Sequence, residues 1–434
     1  MQSMTPWRWL LSVLALALIA AIALIPLVTR AQTTRPIDPA QHESKRQEAT
    51  KAMANGNWKD ALTTFRALAT DPQTKPTRVA DDLANALGCL NHLGLIAEWD
   101  GLIEAAVEAQ PRNWRLLQRA AQSFFDAQHH GSIIAGKFER GPHRGGTAKS
   151  VYAFERDRVR ALQLLTQALA ASKGDPDTNG VALLHHQMAE WLLNRHSGQE
   201  AWRLGYLTDL TALPDYEDAN TFRGWHHESK GAPVDADGKP VFHTNPKSWD
   251  DAQTDGQRWR WCLMQTMELN PSMRAMVQYE FATFLHQQFD VQTMAHFGRG
   301  FGRDEGDSAG DDTRKDESNP FAVKTLRDDE TIARLANGVK RFKLADEFNF
   351  VAIFKSLAGD AKGGYAISAR ETLAQIYENR QQYDKAAEQW RQLLAGPGSR
   401  EQKENWQARL DQIIKPPKQK FTAKDCRKIK IFLG

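Results

Sequence analysis

Between about residue 45 and residue 414, apolar positions recur at steps of three and four, the period of a helix that buries one stripe. The stretch Ala369–Gly398 shows this most plainly. Read as two helices, it sets Leu373, Ala374 and Tyr377 on the inner face of the first. Tyr383, Ala386, Trp390 and Leu393 fall on the inner face of the second. Small side chains (Ala374, Ala386) stand where helices cross closely, and large ones (Tyr377, Trp390) fill the gaps.

The same order recurs near the start, in Ala49, Gly56, Trp58, Ala61, Phe65, Leu68 and Pro72. Ala84, Leu87, Leu93, Trp99, Ile103, Ala106 and Pro111 follow it more loosely, over a longer span. These are the positions of a tetratricopeptide (TPR) unit, a helical pair that buries its core only by stacking on its neighbours. Further stripes predict a helix from about Asn113, one through Val159, Leu162, Leu165 and Leu169, and one through Val181, Leu184, Met188, Trp191 and Leu192. Asp177, Thr178 or Asn179 can cap the last of these. Helix is expected over Glu200–Leu213, again from near Trp259, after the Asn270-Pro271 cap, and over Thr325–Leu357. Ala232–His243 reads as a small hairpin around Asp237-Gly238, and Ser132–Phe138 as a short extended piece.

The expected fold is therefore all-α, a TPR-like α-solenoid with a small β-hairpin insertion. Degenerate repeats fill 45–300, with an irregular loop at 216–249, and a C-terminal helical unit occupies 321–414. Residues 301–320, charged and without a large apolar side chain from Arg303 to Asn319, read as a flexible acidic linker. Residues 415–434 carry seven Lys or Arg against the single Asp425, a basic tail behind Pro416-Pro417.

The N-terminus changes the picture of where the chain works. Arg8 precedes Trp9–Val28, twenty residues interrupted only by Ser12 and Pro26, long enough to cross a hydrocarbon core. Thr29-Arg30-Ala31 gives small residues at both cleavage-determining positions. Residues 1–31 are a signal peptide or a signal anchor, 32–44 a tether, and both readings export the remainder to the cell envelope, periplasm or medium. A net charge of +3 gives no sign of a nucleic-acid partner. At 434 residues the chain needs no covalent staple, and three cysteines at unrelated spacings form neither a zinc cluster nor a disulfide framework.

Candidate chemistry is thin. Gly131–Lys137 spells most of a phosphate-binding loop, but Phe138 stands where a magnesium-holding hydroxyl belongs and Arg119–Gln128 before it is helical, so a hairpin turn is the better account. The pairs His129-His130, His185-His186 and His226-His227 lack the three- or four-residue spacing of ligands on one helix face. His226, His227 and His243 bracket the hairpin and are the least implausible metal set. Asp235-Ala-Asp237-Gly238 lacks the downstream carboxylate of a calcium loop, and Gly298, Gly300 and Gly302 follow no strand. Trp225, Trp249, Trp259 and Trp261 are either a peptide or glycan platform or, the favoured reading, anchors for a long loop. No catalytic, cofactor-binding or metal-binding residue is assigned, and no nucleotide is expected.

Three blocks taken together, Arg140–Leu165, Gly231–Met267 and Thr325–Arg391, resemble the N-terminal helical region of large exported bacterial proteins of the alpha-2-macroglobulin-like class. The likeness covers about Gln47 to Ile414. It implies an accessory helical module at the cell envelope. No macroglobulin sandwich and no Cys-x-x-Glu-Gln follow, so no bait or thioester residue carries over, and the chain reads as a truncated relative, a fragment or the product of a shifted frame. The expected function is a non-catalytic protein-interaction scaffold with protein partners and a membrane contact through the N-terminal segment. The alternatives are an all-α glycan-active enzyme using acids near the Trp-rich loop, and a passive spacer.

Overall fold

The computed structural model describes residues 37–143, 145–146, 148–193, 198–218, 231–296, 322–360 and 363–414. The segments expected to be a signal or anchor (1–31), an acidic linker (301–320) and a basic tail (415–434) lie outside them. The described chain is mainly helical with small antiparallel sheets, and it divides into two compact units meeting in sequence at Gln110 and Pro111. Among the described residues no helix is long and apolar enough to cross a membrane.

In the first unit, α1 (His42–Ala54), α2 (Trp58–Ala69), α3 (Val79–Leu93) and α4 (Trp99–Ala109) pack each on the next. Ala61, Phe65 and Leu68 of α2 bury against the stripe Leu83, Ala86, Leu87 and Leu90 of α3. Gly94 ends α3 in the left-handed region at φ 69°, donating its N–H back to Asn91 and Leu90, a conformation glycine enters without steric penalty. Arg46 of α1 grips Asp82 of α3 with two bonds of 2.7 Å. That buried fork fixes the two first helices of successive pairs side by side.

The second unit starts with α5 (Trp114–Phe125), whose cap Asn113 accepts from the Leu116 N–H. It continues through β1 (His130–Ile134), β2 (Lys137–Arg140), β3 (Lys149–Tyr152), α6 (Phe154–Ala171), α7 (Thr178–Leu192) and β4 (Glu217–Asp218). The four strands form one antiparallel sheet in the order β2-β1-β3-β4. Arg140 ties it to α6 by bonds of 2.7 and 2.8 Å to Asp157, with His129 Nδ1 2.9 Å from the same carboxylate. Next come α8 (Asp255–Leu269), α9 (Arg274–Phe289), the short α10 (Thr293–His296), and the hairpin β5 (Glu330–Leu335) and β6 (Gly338–Lys343). The unit closes with α11 (Phe350–Gly359), α12 (Ala366–Asn379), α13 (Tyr383–Ala395) and α14 (Arg400–Ile414). Helices α5 to α9 pack each on its successor, α9 packs on α11, and α11 to α14 again pack in sequence. Ala374, Ala387, Trp390, Leu393, Trp406 and Leu410 form the last core. The indoles of Trp390 and Trp406 donate to Glu378 and Glu371, each at 2.7 Å.

Three expectations are corrected. The chain is mainly helical as expected, but the second unit carries a four-stranded and a two-stranded antiparallel sheet in place of a single hairpin insertion. Thr325–Leu357 is not one helix: Glu330–Leu335 and Gly338–Lys343 pair as strands, and only Phe350 onward is α-helical. Ala336-Asn337 makes the connection, and Gly338 opens β6 at φ 117°. Glu200–Leu213 is a 3₁₀ segment over Gly198–Gly205 followed by irregular chain. Its leucines 204, 207, 210 and 213 advance by threes, so on an α-helix they drift around the cylinder instead of forming a stripe.

The expected hairpin at Ala232–His243 is reduced to a turn with one bridge, Val234 to Pro240. Asp235 Oδ1 accepts from the N–H groups of Asp237 and Lys239 at 3.0 and 2.8 Å, which is turn chemistry. The loop's real partner is distant in sequence: Ala232 bridges to Leu335, with bonds of 3.0 and 2.8 Å to Arg334 and Ala336. Gly231 (φ 82°) lies so close that an added Cβ would stand 2.8 Å from the Leu335 carbonyl carbon. Phe242 then inserts between Phe348 and Phe289, at 4.7 and 4.8 Å between ring centroids.

Gly256, in the first turn of α8, faces His243 so closely that a Cβ would overlap the imidazole. The ring is buried, with Trp259 and Phe284 beside it. Gly256→Ala is therefore expected to destabilise by about 1–3 kcal/mol, although alanine is the better helix former by up to ~1 kcal/mol. Chemical denaturation checks this; an unchanged or raised midpoint would show that the ring yields.

Candidate functional site

One concavity of the second unit lies among the end of α6, the start of α7, the end of α8 and the turn before α8. Asp177 caps α7, accepting from the Gly180 N–H at 2.9 Å. Thr254 caps α8, accepting from Gln257 at 3.1 Å. Helices α7 and α8 pack along much of their length, which sets His185 of α7 beside Trp261 of α8, edge to face at 5.2 Å. Trp249 meets Trp261 at 6.0 Å with the rings inclined by 66°. Its position is held by the Arg258 guanidinium, 4.9 Å from the ring centroid. The groove is about 570 Å³ and includes Leu169, Val181 and Leu269 among its apolar lining.

The electrostatics are quiet. Burial pushes the His185 imidazole down to about 4, so it is neutral at ordinary pH. Its Nδ1 is sealed from solvent without a hydrogen-bond partner. Asp175 at the rim is held below the usual carboxylate range first by the Trp114 indole at 2.7 Å, then by the Asp177 N–H. Of the four tryptophans expected to act together, Trp249 and Trp261 meet in this groove. Trp259 is buried beneath, against Phe281 and Phe284, and Trp225 lies outside the described residues.

The other sequence candidates are dispersed. Gly131–Lys137 is the β1–β2 hairpin, turning at Ala135 and Gly136. His185 and His186 point apart: His186 Nε2 stands 2.8 Å from Glu280. Burial works against its charge, but Glu280 outweighs this and raises its pKa. His243 is separately buried and pushed down to about 4 by desolvation, while His226 and His227 lie outside the described residues, as do Gly298, Gly300 and Gly302. Among the described residues no three His, Cys, Asp or Glu side chains gather to hold a metal ion. Cys89 and Cys262 are buried free thiols.

Two further concavities were not foreseen. One, of about 400 Å³, is lined by Glu155, Arg158, Trp202, Tyr206 and Asp255. Its carboxylates serve local bonds, Glu155 to Arg158 at 2.7 Å and Asp255 to the Thr208 N–H at 3.1 Å. The nearby Glu217 carboxyl is raised, first by burial and then by the charge of Glu155. The other, in the first unit, is a polar groove between α1 and α3 that includes Lys51 and Asn85. A scan against protein-family models gives no match to this chain, and a search of curated proteins gives none either.

Proposed function

We propose that this chain is a non-catalytic protein-interaction scaffold, a TPR-like α-solenoid exported to the cell envelope as the alpha-2-macroglobulin-like resemblance implies. The observation that carries the reading is the packing of consecutive helices each on the next, α1 to α4, α5 to α9 and α11 to α14. Units that bury their cores on their sequence neighbours leave long outer faces free for docking. In the first unit the arrangement leaves a groove between α1 and α3.

Photo-crosslinking side chains placed at Lys51 and Asn85, in that groove, and at exposed Lys59 on α2 test the reading in envelope-bearing cells. Discrete protein adducts are expected from the first two positions and not from the third. Equal labelling at all three, or none, would overturn it, as would release of sugar from an envelope glycan by the purified chain. Export is tested by a reporter active only outside the cytoplasm, fused after Ile414; its silence would sink that part of the proposal.

A further inference from the structure

The groove on α6, α7 and α8 carries more specific information, read in terms of the scaffold function above. We infer that it binds a proline-bearing segment of a partner protein in the extended polyproline II conformation, with Trp249, Trp261 and His185 as its recognition residues. The indoles of Trp114, Trp390 and Trp406 each donate to a carboxylate at 2.7 Å, as buried tryptophans ordinarily do. Trp249 and Trp261 are half-buried, and among the described residues neither indole N–H has an acceptor or is sealed from solvent. His185 adds a third donor. Its sealed Nδ1 is the nitrogen that tolerates standing alone as a lone pair, because a buried orphan N–H is the rarer and costlier arrangement. The proton then sits on Nε2, the ring nitrogen that is not sealed.

Three donors without a protein acceptor stand beside the two indole faces, Leu169, Val181 and Leu269 in a groove of mixed lining, and suit a ligand of apolar bulk with acceptors and few donors of its own. Ordinary peptide brings an N–H at every residue, and sugars bring hydroxyl donors. Of the two carboxylates that line the groove, Asp175 is already taken by Trp114 and Arg115, and Asp250 is exposed to water. Proline has no N–H, a ring that lies flat on indole, and a carbonyl that accepts. A proline-rich segment is also extended before it binds, so little order is lost on docking. The volume, about 570 Å³, falls within the roughly 300–1,000 Å³ of ligand pockets.

The test uses the whole exported chain with a fluorescent oligoproline peptide, a Gly/Ser peptide of equal length and a soluble oligosaccharide, read by anisotropy and competition. Saturable binding of oligoproline alone is expected. Trp249→Ala should weaken it by at least ~30-fold, and His185→Leu by about 3- to 10-fold. His185→Leu replaces an unsatisfied polar ring by an apolar side chain, so it should keep or raise the unfolding midpoint, which guards against loss of binding through misfolding. Absence of saturable oligoproline binding up to about 1 mM, equal affinity in both variants, or displacement by the oligosaccharide would each overturn the inference. Adducts at Lys51 and Asn85 that persist through such a failure would leave the scaffold reading standing.

Discussion

Asp290→Ala is expected to destabilise the second unit by about 3–5 kcal/mol. Asp290 follows α9 directly and Arg380 ends α12; both side chains have 0% exposure, and Nε lies 3.6 Å from Oδ1. His286 Nε2 approaches the other oxygen at 3.1 Å. Arg380 Nη1 donates to the Arg327 carbonyl at 3.3 Å, and the guanidinium lies 5.7 Å from the Phe350 centroid. Its Nε and Nη2 make no hydrogen bond. The contact is thus a charge pair without a formed fork, and its main worth is that neither charge stands alone. Removing the carboxylate strands a guanidinium in a dry site. The double change Asp290→Ala with Arg380→Met should recover most of the loss, since an apolar pair avoids both desolvation penalties. Urea denaturation of the three proteins decides it. A single-variant loss under ~1 kcal/mol would mean that water or His286 already compensates Arg380.

Lowering the pH from 7 to 4 should weaken the second unit steeply, through His185 and His243. Both folded values lie near 4, below the ordinary 6.5, because burial disfavours the imidazolium. The unfolded chain therefore binds more protons between these limits. The stability is fully present above 6.5 and is lost as pH falls toward and through 4. Each residue accounts for about 2 kcal/mol by pH 5 and about 3 kcal/mol by pH 4. His186 acts in the opposite sense, because Glu280 raises it and its contribution grows on acidification; its half-buried position keeps that offset small. Denaturant midpoints at pH 7, 6, 5 and 4 should show the decline, and His185→Leu should remove one residue's share. A flat profile down to pH 5 would show that protons reach neither ring.

Much of the helical order is legible in the chain because each signal is local. Asn113, Asp177 and Asn270 cap where their side chains can reach the next free N–H groups, and the stripe of α7 buries the residues its spacing selects, whereas Tyr383 at the start of α13 is exposed and Ala84 and Leu93 of α3 are only partly buried. The β5–β6 hairpin turns at Ala336-Asn337, between the paired Leu335 and Gly338, so the Asn337-Gly338 dipeptide straddles the end of the turn instead of forming its centre. Strand β5 buries Thr331, Ile332 and Ala333 in succession, so the alternation that distinguishes a strand from a helix is absent. β3 and β4 are legible only with their partners, since four and two residues carry no period. At the groove, Trp249 and Trp261 stood out by type. His185 did not, because nothing local tells a buried imidazole that lacks a partner from one that has one.

The bridge from Ala232 to Leu335 and the contact from Asp290 to Arg380 each close a span of about a hundred or ninety residues. Helical pairs that touch their sequence neighbours assemble quickly, whereas closures of this length arrive last. During synthesis, Phe242 and Phe289 wait uncovered until Phe342 and Phe348 have emerged to meet them. That interval leaves two aromatic rings open to the grip of a holding chaperone.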